Sequence, residues 1–370
     1  MQIEIYNMIP VGENITISLE AVCDSFSSLL WDIEYYKCGE FEVYIAASPR
    51  NIEIFQTGRI VGRDDDKEHF GLIESVELET NAEDGDYLII NGRFLMCLLE
   101  RRIIYPTFNF TKLVSYSQIA MNVVQHNACT SGIRKIPGLV VGCSSGTCWD
   151  AKTKLQVSYD NLMEWVYTIC EKIGGTANIR LSKIDNEQYE MIFELSQGTD
   201  RSILQEINPH IIFSDRYNNL LSFTYFTDTS VKKNYAYVLG KGEGEKRKRT
   251  TYFEDSEPSS LDRYEVYVDA KEISDEEQVD NETKPLSEEE YAELLKEKGK
   301  QNIVPITMKS ESQIAVQSTQ FQYGVDYFVG DFVTVEHHRF GIRQNKIQLV
   351  GMIESFDRNG RNLTPTFKEE

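Results

Sequence analysis

Gly58-Arg59-Ile60-Val61, followed by Gly71-Leu72-Ile73-Glu74-Ser75, recurs near the other end of the chain as Gly330-Asp331-Phe332-Val333, followed by Gly351-Met352-Ile353-Glu354-Ser355. The order is kept and the spacing is not, because the later pair encloses a longer insert with His337, His338, Arg339 and Phe340. Each pair reads as two strands joined by a turn, since β-branched and aromatic residues suit a half-buried pleated surface. Two accounts of the echo stay open at this level. It is a repeated strand pair, giving two similar barrels in one chain, or two unrelated hairpins that share common strand residues.

Outward from this pair, Ile3 and Ile5 alternate with polar neighbours, and Glu42-Val43-Tyr44-Ile45 does so again before Ser48-Pro49. Period-two alternation predicts strands there, with a short helix between them over Val22–Trp31. Thr57 to Arg93 reads as a meander turned at Asp64-Asp65-Asp66-Lys67 and at Glu83-Asp84-Gly85. Phe94 to Arg102 suits a strand or a short helix equally. Two helices are expected near 117–128 and 159–173. Ser117 is a candidate N-cap before Ile119, Val123 and Val124, and Ser158 precedes Leu162, Trp165, Val166, Ile169, Cys170 and Ile173 at helical spacing, ended by Gly174-Gly175. Strands resume at Ala177–Leu181, Glu190–Leu195, Ile211–Phe213, Ser222–Phe226 and Tyr235–Leu239, and return over Ile303–Phe367, including Phe332–Val335 and Lys346–Ile353.

Gly240 to Arg249 predicts a long hairpin tip between Ala236–Leu239 and Thr250–Phe253. Glu272 to Glu293 carries ten acidic residues against the single basic Lys284, a density that must face water or a cationic partner. Within it Ser287 and Glu290 form a capping box, Leu286 and Tyr291 a hydrophobic staple, and Gly299 a stop, so a helix with Tyr291, Leu294 and Leu295 inward is expected. The fold class is therefore α+β and β-rich. A first β-barrel-like domain is expected over 1–110, a middle α+β domain over 111–210, and a second β-barrel-like domain over 211–370 carrying the acidic helical insert 272–300.

The 370 residues hold 38 basic against 59 acidic side chains, a net charge of −21. Such a field repels phosphate backbones, which argues against nucleic-acid binding as the main task. The start MQIEIYNMIP lacks a secretory pattern, no apolar run approaches a spanning length, and seven cysteines is an odd number, so reduced thiols and cytoplasmic synthesis are expected.

The chemical motifs are weak. Gly142-Cys143-Ser144-Ser145-Gly146 matches a nucleophile elbow, but Thr147-Cys148-Trp149-Asp150 does not continue as the required helix. His126, Cys129, Cys143 and Cys148 suit zinc by type and not by spacing, and buried thiols account for them as well. Gly240-x-Gly242-x-Gly244 lacks the Lys-Ser/Thr of a phosphate loop, and Lys246–Arg249 reads as a solvated tip or a contact with an acidic neighbouring subunit. Asp64-Asp65-Asp66 could hold a hard cation but is explained by a charged turn. His337 and His338 point to opposite faces of a strand and cannot share a ligand geometry. No pair of carboxylates can be singled out for glycosidase chemistry. No catalytic, cofactor or metal site is expected.

Several blocks in serial order carry a resemblance. They are Gly58-Arg59-Ile60-Val61-Gly62-Arg63-Asp64-Asp65, Gly71–Glu74, and Gly92-Arg93 with Leu98-Leu99-Glu100-Arg101-Arg102. Later come Phe213–Asn219, Tyr237–Gly244, Leu261–Ala270 and Tyr323–Asp331. Together they resemble the tail hub, or spike-adaptor, proteins of tailed phages and phage-tail-like contractile injection particles. The resemblance implies a structural, non-enzymatic protein with two tube-like β-barrel domains. It implies a homotrimer that offers a six-fold-like face to the tail tube or tube-initiator proteins, with the central spike protein below and other baseplate proteins around it. No sequence-specific nucleic acid and no integral membrane contact are implied. The competing possibilities are a tail-associated cell-wall hydrolase and a carbohydrate-binding module. The acidic insert 272–293 and the loop 132–149 match no motif of the resemblance.

Overall fold

A computed structural model describes the chain apart from residues 82–84, 131, 185–187, 280–281, 305–306, 315–319 and 369–370. The amino-terminal part forms β1 (Ile3–Val11), β2 (Asn14–Cys23), β3 (Ser28–Glu34), β4 (Glu40–Ala46), α1 (Pro49–Ile54), β5 (Ile60–Arg63), β6 (Asp66–Asn81) and β7 (Gly85–Phe94). Next come α2 (Cys97–Glu100), β8 (Phe108–Ser115), α3 (Tyr116–Val124), β9 (Leu139–Ser144), β10 (Lys152–Val157), α4 (Leu162–Ile173), β11 (Thr176–Lys183) and β12 (Gln188–Ser196). The remainder holds β13 (Ile212–Ser214), β14 (Leu220–Asp228), β15 (Tyr235–Leu239), β16 (Arg249–Tyr252), β17 (Glu265–Asp269), β18 (Glu276–Val279), β19 (Glu282–Pro285), α5 (Glu288–Gln301), β20 (Thr307–Ile314), β21 (Phe332–His337), β22 (Ile342–Asp357) and β23 (Gly360–Lys368). The protein is β-rich α+β.

Most strands join one open mixed sheet in the order β11-β12-β2-β1-β5-β6-β7-β4-β3-β22-β23-β20-β14, with β21 on β22, β13 on β21 and β9 on β12. No closed barrel forms among the described residues of one chain. Alternation decides which face is buried. Leu29, Trp31 and Ile33 of β3 and Phe41, Val43 and Ile45 of β4 point into one core with Ile3, Ile5, Leu88 and Ile90. Phe213, Val333, Val335, Ile347, Leu349, Met352 and Phe367 form a second. A third lies between α3, α4 and the β11–β12 hairpin, and α5 packs on the small β16-β15-β17 sheet to form another.

The two ends of the chain are built alike. Gly58 donates its N–H to the Ile73 carbonyl at 2.8 Å while Ile73 donates to Arg59 at 2.9 Å; Gly330 donates to Leu349 at 2.6 Å while Leu349 donates to Asp331 at 2.9 Å. Ile60 faces Leu72 as Phe332 faces Gln348. β6 and β22 are each 16 residues long, and each ladder to the next strand is broken by a bulge just after Ile73 and just after Leu349. One row of directly opposed residues runs Ile73, Gly92, Phe41, Trp31 in the first unit. Its counterpart in the second runs Leu349, Phe367, Ser310, Tyr225. The repeat is therefore real, but the letter match of its second half is out of register. Gly71 to Ser75 corresponds to Ile347 to Gly351, and the likeness to Gly351–Ser355 reflects common strand composition.

Several expectations are corrected. Val22–Trp31 is not a helix: β2 runs to Cys23 and β3 starts at Ser28, because Leu29, Trp31 and Ile33 alternate into the core. α3 is capped by Ser115 instead of Ser117, its hydroxyl accepting from the Gln118 N–H at 3.3 Å. Asn161, not Ser158, caps α4, its side chain accepting from the N–H groups of Met163 and Glu164. Phe94–Arg102 resolves as the turn of α2. The capping box and inward face of α5 are as expected, but Gly299 lies within the helix, where it lets Val238 and Tyr252 approach. Residues 83–84 of the expected turn at Glu83-Asp84-Gly85 lie outside the described residues.

Gly58 and Gly330 start the two repeats at φ +88° and +101°, where a side chain strains the backbone. An added Cβ at Gly58 meets nothing, whereas at Gly330 it comes within 2.2 Å of the Tyr35 ring. Gly58→Ala is expected to cost about 1–2 kcal/mol and Gly330→Ala distinctly more, measured by urea unfolding; equal costs would show that backbone strain alone matters at both.

Candidate functional site

The feature with the most demanding electrostatics is the junction between the two repeats. The free edge of β3 pairs antiparallel with the second half of β22, from Gly351 opposite Glu34 to Phe356 opposite Leu29, with Glu354 opposite Trp31. Arg63, at the end of β5, is only 1% exposed there. Its guanidinium lies between the Trp31 and Phe356 rings, 5.4 and 4.8 Å from their centres. It donates to Glu354 at 3.1 and 3.3 Å and to Asp65 at 2.9 and 3.0 Å. Glu354 also accepts from Arg361. Burial raises the Asp65 carboxyl, but the hydrogen bond and charge of Arg63 outweigh it and hold the group below its usual range.

Beside it, Asp66 accepts from the Trp31 indole at 3.0 Å and pairs with His69 at 2.9 Å. Burial works against its ionisation, and His69 with the hydrogen bonds overrides that, so its pKa is lowered. Asp64 accepts from the Gln2 N–H at 2.7 Å. Asp64, Asp65 and Asp66 thus diverge to separate partners instead of converging on a cation.

The repeat also leaves two edges without a ladder among the described residues: the outer side of β14 and the second half of β6 beyond the reach of β5. Leu78 on β6 and Tyr225 on β14 are 53% and 43% exposed. The solvent face of the first repeat is acidic. Asp32 and Glu34 of β3, Glu40 and Glu42 of β4, and Glu77 and Glu79 of β6 share it, by alternation, with Arg93. Arg93 is held by Glu74 at 2.7 Å and Glu100 at 2.6 Å. A depression of about 490 Å³ on this face is lined by Asp32, Glu40, Glu42, Glu74 and Arg93. Partial burial first, then the charges of Glu34 and Glu40, push the Asp32 carboxyl up to about 6.

The motif residues fall elsewhere. Ser144 ends β9, which runs parallel to β12, and no described histidine or carboxylate hydrogen-bonds it. Cys129 is buried, Cys143 exposed and Cys148 half-buried, and no His/Cys/Asp/Glu group among the described residues is placed to share a metal ion. Burial pushes the Cys129 thiol up to about 12 and that of Cys148 up to about 11. His337 stacks near Phe340 and sits 3.5 Å from Asp215, and His338 contacts Arg216. The basic hairpin tip meets acidic residues of its own chain: Arg247 pairs with Asp269, Lys248 with Glu288 and, at the base, Lys241 with Asp275 at 2.7 Å. Lys241, Arg247 and Lys248 are thus paired within the chain. No described helix is long and apolar enough to cross a membrane.

This duplicated, edge-joined sheet is the fold of phage tail proteins. It aligns with the tail protein from Neisseria meningitidis MC58 at 14% identity over 100% of this chain and 97% of that one, TM-score 0.58. The 43 kDa tail protein of prophage MuSo2 from Shewanella oneidensis aligns at 11% identity over 99% and 98%, TM-score 0.59. Prophage tail protein gp18 from Listeria monocytogenes EGD-e aligns at 10% over 100% and 95%, TM-score 0.53. The chain belongs to the family of Siphovirus ReqiPepy6 Gp37-like proteins, which it matches over residues 3–367. No curated protein sequence matches it.

Removing the buried cation from the buried Glu354 carboxylate breaks a buried ion pair, so Arg63→Ala is expected to cost about 3–5 kcal/mol in chemical unfolding; a cost below about 1 kcal/mol would show that the network does not hold the junction. Asp32 titrates the opposite way to a paired carboxylate. Its folded pKa lies above the unfolded value near 3.8, so the folded state binds more protons and stability falls as pH rises from about 4 to 6. Asp32→Asn is expected to stabilise the protein at pH 7 by about 1 kcal/mol, after allowance for solvent screening, and to give no gain at pH 3.5, read from melting temperatures across that range.

Proposed function

We propose that the protein is the baseplate hub that joins the tail tube to the central spike of a phage tail or contractile injection particle. Three copies form a ring in which each chain supplies two equivalent β units, so that a three-fold assembly presents six similar elements to a hexameric tube. The observation that carries this is the repeat itself: equal long strands, bulges at matching positions, and a β3–β22 junction that already sets two units side by side. Family membership and the shared fold of tail proteins support the same role.

In this arrangement the first unit lies within residues 1–110 and the second within 211–370, each tube-like and barrel-forming only in the ring, with 111–210 as a middle α+β domain between them. The work is adhesive: apolar contacts with polar rims bind the tube or tube-initiator proteins above, the spike protein below and other baseplate proteins around. The acidic face of the first unit would line the channel and repel passing DNA. Assembly would take place in the bacterial cytoplasm, and the product would be a component of the tail.

The test is the mass and partners of the purified protein. Light scattering on a sizing column is expected to give three chains per particle, and co-expression with tail tube and spike proteins is expected to retain both. A monomer at every concentration, or turnover of purified peptidoglycan that disappears in Ser144→Ala, would contradict the hub role.

A further inference from the structure

The repeat makes it possible to place the contact between neighbouring chains residue by residue. Within the chain, the edge strand of the first unit, β3, pairs with the second half of the long strand of the second unit, β22. The second unit has its own edge strand, β14, and the first has its own long strand, β6, and among the described residues of the repeat the ladder stops at both. Following the matched rows, Tyr225 occupies the position of Trp31. Counting on from the bulges, Ser75 matches Gly351, so Leu78 occupies the position of Glu354. Trp31 is opposite Glu354 in the chain.

We infer that β14 of one copy pairs antiparallel with residues 75–80 of β6 in a second copy, in the register that sets Tyr225 opposite Leu78, Phe223 opposite Thr80 and Asp228 opposite Ser75. This rests on the ring proposed above. It continues between chains the interface already present within one, and it closes after three chains with the β14 and β6 edges of every copy paired.

Two independent features fit it. Alternation turns both Tyr225 and Leu78 toward the core side of their strands, yet they are 43% and 53% exposed, whereas their counterparts Trp31 and Glu354 are 0% and 2% exposed. The chemistry of the two junctions is also complementary. The buried cation Arg63 follows Val61 by two positions across a register shift, and Val335 follows Val333 in the same way. Where the internal junction has Arg63 and Glu354, the external one has Val335 and Leu78, so the cation and its anion are replaced together by apolar residues.

Cysteine pairs test the register. Thr224→Cys with Glu79→Cys would lie directly opposite across the two chains, within disulfide reach, whereas Thr224→Cys with Glu77→Cys would be diagonal and about 7–8 Å apart. Oxidation of the first pair is expected to give covalent dimers and trimers on non-reducing gels, at least tenfold more than the second pair or either single substitution. Tyr225→Asp and Leu78→Asp, both at exposed sites, are expected to keep the circular dichroism spectrum and to raise the concentration needed for half-assembly at least tenfold. A trimer by light scattering that links equally or better through the diagonal pair, or not at all, overturns this register while leaving the hub role intact. A protein that stays monomeric before any substitution overturns the ring and the register together.

Discussion

A β unit that repeats within one chain has to settle what happens at its edges, because an unpaired strand presents a row of N–H and C=O groups that will find a partner. Here the first repeat satisfies one edge with the second, through β3 and β22. The same geometry leaves the mirror set, β14 and the far half of β6, without a ladder among the described residues of the chain. The middle region packs its helices against β11, β12 and the first repeat, and the β15–β17 sheet with α5 hangs outside the repeat with its own small core.

The internal junction is unusual in placing a guanidinium between two aromatic rings and against a carboxylate, Glu354, at almost complete burial, with the exposed Asp65 as its second partner. Such a network adds little net stability compared with apolar residues of the same shape, but it is intolerant of a missing partner or a shifted strand. A one-residue slip of β22 against β3 would turn Glu354 to the opposite face and leave Arg63 buried without it. The network therefore acts as a lock on register, whereas the equivalent positions, Val335 and Leu78, carry apolar residues.

Strand positions were legible because alternation is a local property: Ile3 and Ile5, Glu42–Ile45, Tyr235–Leu239 and Phe332–Val335 all fall in strands. The capping box of α5 was legible for the same reason. Partners separated by long stretches of chain were not. Asp64-Asp65-Asp66 reads as a turn with a possible cation, and nothing local says that Arg63 meets Glu354, 291 residues away. The signal available was an arginine in the otherwise apolar strand Ile60–Arg63, each residue of which is buried. The helix starts shifted because Ser115 and Ser117 are equally good caps in sequence, and only the end of β8 selects between them. The repeat was visible in its first half, where Gly58 and Gly330 need an unusual backbone, and misaligned in its second, where strand composition alone produced a match.

The central claim is that three chains supply six equivalent β units around one axis. Electron cryomicroscopy of the purified ring viewed end-on tests it most directly. The account predicts true three-fold symmetry with six similar inner sheet segments, alternating between β3–β22 junctions inside chains and β14–β6 junctions between them. A particle with six chains, with two, or with inner segments that cannot be superposed would contradict it.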